Sequence, residues 1–241
     1  MTAGCEHGAE SHDGTVPSAA SAPEASRAWL LIEHSGPWPH EPAEAELPAP
    51  LRAVADSAVG LGIRVQLIRR PGPRRPPDSR RVFAGWTAGS EPWLRHGVVS
   101  AGPGWPAGLD LHRLAGGERP SFGRPASEPV FLVCGHAQRN ACCARLGVPL
   151  ARQLAARYPG QVFQTTHVGG HRFAANLVIL PHGLYYGPVG LAEATAAISA
   201  YQHGAVTPAR YRGRAGQPQP IQQAEHELLA RAGSLAVAAL A

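Results

Sequence analysis

Lysine is absent from this chain, and all 22 cationic residues are arginine. Genome base composition accounts for that replacement as readily as an acidic partner does, so the net charge of +5 does not by itself identify a nucleic-acid binder. The densest basic stretch, Arg69, Arg70, Arg74, Arg75, Arg80 and Arg81, is broken by Pro71, Pro73, Pro76 and Pro77. Proline removes amide donors that a helix needs, so this stretch reads as a solvated loop and argues against a groove-binding helix. No apolar run is long enough to span a bilayer. Met1–Ser26 also lacks the apolar segment of a secretory signal, so a cytoplasmic protein is expected. Cysteine is scarce: Cys5, Cys134, Cys142 and Cys143. With no export signal, structural disulfides are not expected, and three cysteines crowded together point to metal or redox chemistry.

What the chain does have is apolar material for a core (44%), together with 28 glycines and 24 prolines that demand many turns. Residues 1–26 hold almost no large apolar side chains and read as a flexible tail. Trp29–Glu33 reads as a buried strand, and residues from Ala49 to Gly62 carry helical spacing with Pro50 near the start. Strands follow at Ile63–Ile68, at Arg81–Trp86 and, more weakly, around Gly97–Ser100. Residues 101–127 read as a connector with one short element at Leu109–Leu114.

The order then repeats. Val130–Cys134 is a strand, and Pro149 suits the first turn of a helix whose inner face is Leu146, Leu150, Leu154 and Tyr158. Gln161–Gln164 is a short strand, and Asn176–Leu180 and Leu184–Gly187 flank a three-residue turn. Gly190–Gln202 forms a helix, 204–220 is loop, and a last helix runs from about Ile221 to Leu240. Two thioredoxin-like α/β sandwich halves are therefore expected. Residues 27–127 form the N-terminal half, and residues 128–241 form the half carrying the chemistry.

That chemistry concentrates in two segments, Cys134-Gly-His-Ala-Gln-Arg-Asn-Ala-Cys142-Cys143 and His167-Val-Gly-Gly-His171. In a thioredoxin-like sandwich both leave the same end of the sheet. Thiolate and imidazole suit zinc or an iron–sulfur centre rather than Mg²⁺ or Ca²⁺. Zinc knuckles place cysteines two to four residues apart, whereas Cys134 and the Cys142–Cys143 pair are separated by a long loop suited to a larger object. Gly169 and Gly170 argue for a tight loop, not a helix, between the two histidines.

These two segments, with the WLLIEHSGPWP opening and the IRVQLIRRPG strand and loop, resemble the sucrase/ferredoxin-like family, a branch of the thioredoxin-like ferredoxins. The resemblance implies a [2Fe–2S] cluster held by Cys134, Cys143, His167 and His171, with Cys143 preferred over Cys142 by register. The family loop usually carries Gly and Asp where this chain has Ala137 and Asn140. The word sucrase implies nothing here, because no pair of carboxylates is placed for glycoside hydrolysis. His136 and Arg139 read as donors that orient the loop, and Asn176 as a hydrogen-bonding neighbour.

The expected function is electron transfer with an unidentified redox partner protein, and no membrane or nucleic acid. Two imidazoles in place of two thiolates raise the cluster potential, and an imidazole's second nitrogen couples electron to proton. A zinc-stabilised binding module is the alternative. A thiol oxidoreductase using Cys142 and Cys143 ranks below it, because adjacent cysteines form strained disulfides.

Overall fold

A computed structural model of the chain describes residues 19–72, 79–100 and 108–240. The first half runs β1 (Ala28–Glu33), α1 (Ala49–Gly60), β2 (Arg64–Arg69), β3 (Ser79–Trp86), β4 (Trp93–Ser100), α2 (Leu111–Ala115) and β5 (Arg124–Pro125). The second runs β6 (Val130–Cys134), α3 (Ala141–Arg157), β7 (Val162–Thr165), β8 (Leu177–Leu180), β9 (Leu184–Tyr186), α4 (Leu191–Gln202), β10 (Ala205–Val206), β11 (Tyr211–Arg214), α5 (Gln219–Ala232) and β12 (Leu235–Ala236).

Ten strands form one mixed sheet, in the order β11-β9-β8-β6-β7-β2-β1-β3-β4-β5. Strand β1 lies parallel to β2 across the α1 crossover and antiparallel to β3, which pairs antiparallel with β4. The second half has the same directions: β6 is parallel to β7 across α3, antiparallel to β8, and β8 pairs antiparallel with β9. The halves join at β2 and β7, where Ile68 faces Thr165 and Arg69 faces Gln164.

Period-2 alternation assigns each strand to two cores. Leu30 and Ile32 of β1 pack with α1 and α2, and Phe131 and Val133 of β6 pack with α3 and α4. Their sequence neighbours Trp29, Leu31, Leu132 and Cys134 meet in a third core drawn from both halves. Phe83 of β3 stacks edge-on against Phe163 of β7 at 5.6 Å, although β1 and β2 separate those strands in the sheet. The sheet is thus curled until its halves face each other, with helices outside. The architecture is α/β, as the sequence predicts.

Several boundaries differ from expectation. Helix α3 starts at Ala141 and encloses Pro149, where the sequence predicts a first turn. The Asn140 side chain accepts a hydrogen bond from the Cys142 amide at 2.9 Å, and this cap starts the helix early. Burial of Leu150, Ala151 and Leu154 carries the helix past the proline, which lacks only one amide donor. Strand β4 starts at Trp93, four residues ahead of the expected weak run's Gly97, because its full length pairs with β3. The segment read as loop over 204–220 contains β10 and the fully buried β11. Gly233 adopts a left-handed conformation and ends α5 well before Leu240. Of the expected tail, residues 1–18 lie outside the described ones, as do Cys5, Arg74 and Arg75. Residues 19–26 are packed: Ala22 is buried, and it exchanges hydrogen bonds with Gln222. Among the described residues, no helix is long and apolar enough to cross a membrane.

Candidate metal centre

The site forms at the carboxyl end of β6, where the chain turns through residues 135–140 into α3. Cys134 is the last residue of β6 and points into the central core. Cys143 sits in the first turn of α3, whose start is capped by Asn140. The two are brought together by a close approach at Gly147, where a Cβ would lie 1.8 Å from the Cys134 carbonyl oxygen. Only glycine lets α3 pass this close to the strand end.

The third member arrives on the loop after β7. His167 Nδ1 stands 4.0 Å from Cys134 Sγ and 3.9 Å from Cys143 Sγ. All three donor atoms lie within 4.8 Å of one another, with both thiols buried and His167 half-buried. Cys134 and Cys143 are free thiols. A hydrogen bond from the Cys143 thiol holds Cys134 well below the usual thiol range, against the opposing effect of burial, and His167 adds to the lowering. Cys143 is pushed up in return, by the same bond and by burial. Thiols bind a metal ion as thiolates, so a metal here would displace thiol protons.

His171 is not part of this three-membered group. Its ring centroid lies 6.1 Å from that of His167, at an interplanar angle of 39°. Between them Gly169 and Gly170 both take positive φ, +97° and +67°, as the tight loop expected from the sequence requires. Cys142 is buried beside Cys143 in the central core and is outside the group.

Other side chains hold the loop in place. The His167 amide donates to His136 Nδ1 at 3.1 Å, and His136 Nε2 lies 2.7 Å from the Pro39 carbonyl oxygen. An amide only donates and a carbonyl only accepts, so His136 is the neutral Nε2–H tautomer. Burial keeps its pKa below the ordinary imidazole value. Its sequence reading as an orienting residue agrees with this position. Arg139 instead bonds His40 and Glu41, at the surface. From the first half, Arg64 and Gln66 donate to the His167 carbonyl at 3.2 and 3.3 Å. Neither stood out in the sequence, because the alternation of β2 accounts for both without a site.

The family model for sucrase/ferredoxin-like proteins matches residues 20–213. The chain belongs to that family. This sucrase/ferredoxin-like protein is also similar to altered inheritance of mitochondria protein 32 of Eremothecium gossypii, at 28% identity over 106 residues. That match covers 38% of this chain and 34% of the relative, so the chain spans about a third of the relative's length. No solved structure matches the chain. Membership of the family and the Cys134–Cys143–His167 group agree on a protein that can bind metal through sulfur and nitrogen.

Proposed function

We propose that this chain is a [2Fe–2S] electron carrier of thioredoxin-like design, with ligands Cys134, Cys143, His167 and His171. The observation that carries the reading is the convergence of two buried thiols on one imidazole nitrogen at 3.9–4.0 Å. The donor set fits the group: soft thiolates select iron–sulfur or zinc, and hard-cation ligands are missing from it. His171, on the far side of the same glycine loop, is the fourth ligand in this reading.

The bound cluster would supply a site that accepts and returns one electron. The residues around it have separable duties. Cys134 and Cys143 would hold the group as thiolates, having lost their thiol protons. His136 fixes the His167 backbone, which aims Nδ1 at the two sulfurs. With Nδ1 aimed at the sulfurs, His167 Nε2 faces away from them and would hold the ring's remaining N–H. The central core shields the sulfur side from water, and a cytoplasmic redox partner protein would approach from the half-buried histidine side.

Protein-film voltammetry tests the function. A reversible one-electron wave is expected, and one proton coupled to that electron would make the midpoint potential fall by roughly 59 mV per pH unit. A protein loaded with iron and sulfide that gives no reversible wave would overturn the carrier role.

A zinc-stabilised module is the second reading, and one observation favours it. His167 Nδ1 is nearly equidistant from the two sulfurs, as three ligands of a single tetrahedral ion would be. Zinc without sulfide in protein made with ample iron would put this reading first.

A further inference from the structure

Strand β11 buries two arginines of opposite circumstance. Arg214 pairs with Glu225 of α5, its Nε donating to Oε1 at 2.7 Å. Arg212 is 1% exposed and has no carboxylate partner among the described residues. Its hydrogen bonds go to neutral acceptors: Nη1 to Asn176 Oδ1 at 2.6 Å, Nε to Ser21 Oγ at 3.1 Å and Nη2 to the Ser21 carbonyl at 2.7 Å. Its guanidinium lies 4.4 Å over the Phe173 ring and 5.5 Å over the Tyr185 ring. Burial lowers its pKa only to about 10, so the group is charged at neutral pH. Burying a lone charge is costly, and an opposite charge brought close to it offsets part of that cost.

The guanidinium sits against the loop that joins His167 to His171. Asn176, which accepts from Arg212, donates to the Gly170 carbonyl at 3.0 Å. Tyr185, beneath the same guanidinium, donates to the Val168 carbonyl at 3.1 Å. A Cβ on Gly170 would lie 2.3 Å from Arg212 Nη2, so the loop's glycine is the space the guanidinium fills. Arg212 thus contacts the loop directly and through two intermediaries. A mere staple between β11 and Ser21 would need the hydrogen bonds but not the charge.

We propose that Arg212 is a positioning residue of the metal centre, shaping the His167–His171 loop and supplying the buried positive charge that stabilises the electron-rich form of the bound group. The inference rests on the iron–sulfur reading above. One electron from a donor makes the site more negative by one unit. A fixed cation nearby favours that state through the low-dielectric interior.

The test uses full-length protein purified without oxygen, with dithionite as reductant, and compares the parent with Arg212→Gln, Arg212→Lys and Asn176→Asp. Visible spectra report the ligand set, and film voltammetry reports the potential. Arg212→Gln should weaken reduction at least tenfold, which is 59 mV for one electron. Arg212→Lys, which keeps the charge, should recover most of that loss. Asn176→Asp places a carboxylate on the guanidinium and should shift the potential in the same direction as Arg212→Gln. If Arg212→Gln does not fold, Asn176→Asp decides the matter. A parent with a cluster, but with potentials in Arg212→Gln or Asn176→Asp within threefold of the parent's equilibrium, would overturn the inference alone. A parent without iron would overturn the iron–sulfur reading and this inference with it.

Discussion

Ligand atoms, caps and buried charges act one side chain at a time, and at that scale the neighbouring cysteines have different roles. Cys134→Ser, Cys143→Ser, His167→Ala and His171→Ala should each abolish or alter the visible spectrum of the loaded protein. Cys142→Ser, whose sulfur lies outside the group of Cys134, Cys143 and His167, should leave it nearly unchanged. A spectrum lost in Cys142→Ser and kept in Cys143→Ser would reverse the assignment.

A second residue-scale prediction concerns His182, in the turn between β8 and β9. Its Nδ1 lies 2.6 Å from the Tyr201 hydroxyl, and burial, with Arg214 nearby, pulls its pKa from 6.5 down to about 4. Between those values the unfolded chain takes a proton that the folded chain refuses. The stability from neutral His182 is therefore complete above 6.5 and is lost as the pH falls toward 4. His182→Asn should lose less stability than the parent between about pH 7 and 4.5, read by urea midpoints. Equal losses in both proteins would contradict the buried neutral imidazole.

At the scale of elements, the site depends on how closely α3 passes the end of β6. Gly147→Ala puts a Cβ 1.8 Å from the Cys134 carbonyl oxygen, so the helix must retreat and carry Cys143 away from Cys134. We expect a stability loss of roughly 1–3 kcal/mol in urea, with weakened metal loading. Gly60→Ala, at the end of α1 where a Cβ meets nothing, should cause no loss. Equal behaviour of the two variants would show that the approach at Gly147 is not tight.

Most elements were legible in the sequence because their burial is one-sided or complete. The apolar runs of β1 and β6 and the Ala49–Gly60 spacing are local signals, and they fall where the chain folds that way. What escaped was set by tertiary partners. Strand β11 carries two arginines and a glycine among its four residues, and its burial rests on Glu225, Asn176 and Ser21, all remote in sequence. Proline at 149 signals a helix start, and only the Asn140 cap and the packing of Leu150 and Leu154 override it. The site shows the same division. Cys134, Cys143, His167 and His171 stand out by residue type, whereas Arg64, Gln66 and Arg212 matter only through contacts that the curled sheet creates.

On the scale of the whole molecule, that curling gives the centre its environment. The central core, drawn from both halves, holds Cys134 and Cys143 with Trp29, Val168 and Tyr185. The thiols therefore lie on the dry side and His167 on the partly open side. The strand order repeats across β2 and β7, but in the proposed reading the ligands lie in the second half. Glu33-His34-Ser35 ends β1 where Cys134-Gly135-His136 ends β6. The first half contributes supports for the loop, Arg64 and Gln66, rather than ligands in this reading.

Iron and acid-labile sulfide in protein purified without oxygen after growth with ample iron test the central claim most directly. A [2Fe–2S] centre on Cys134, Cys143, His167 and His171 predicts about two irons and two sulfides per chain, lost together when any one ligand is removed. One zinc per chain and no sulfide would contradict it.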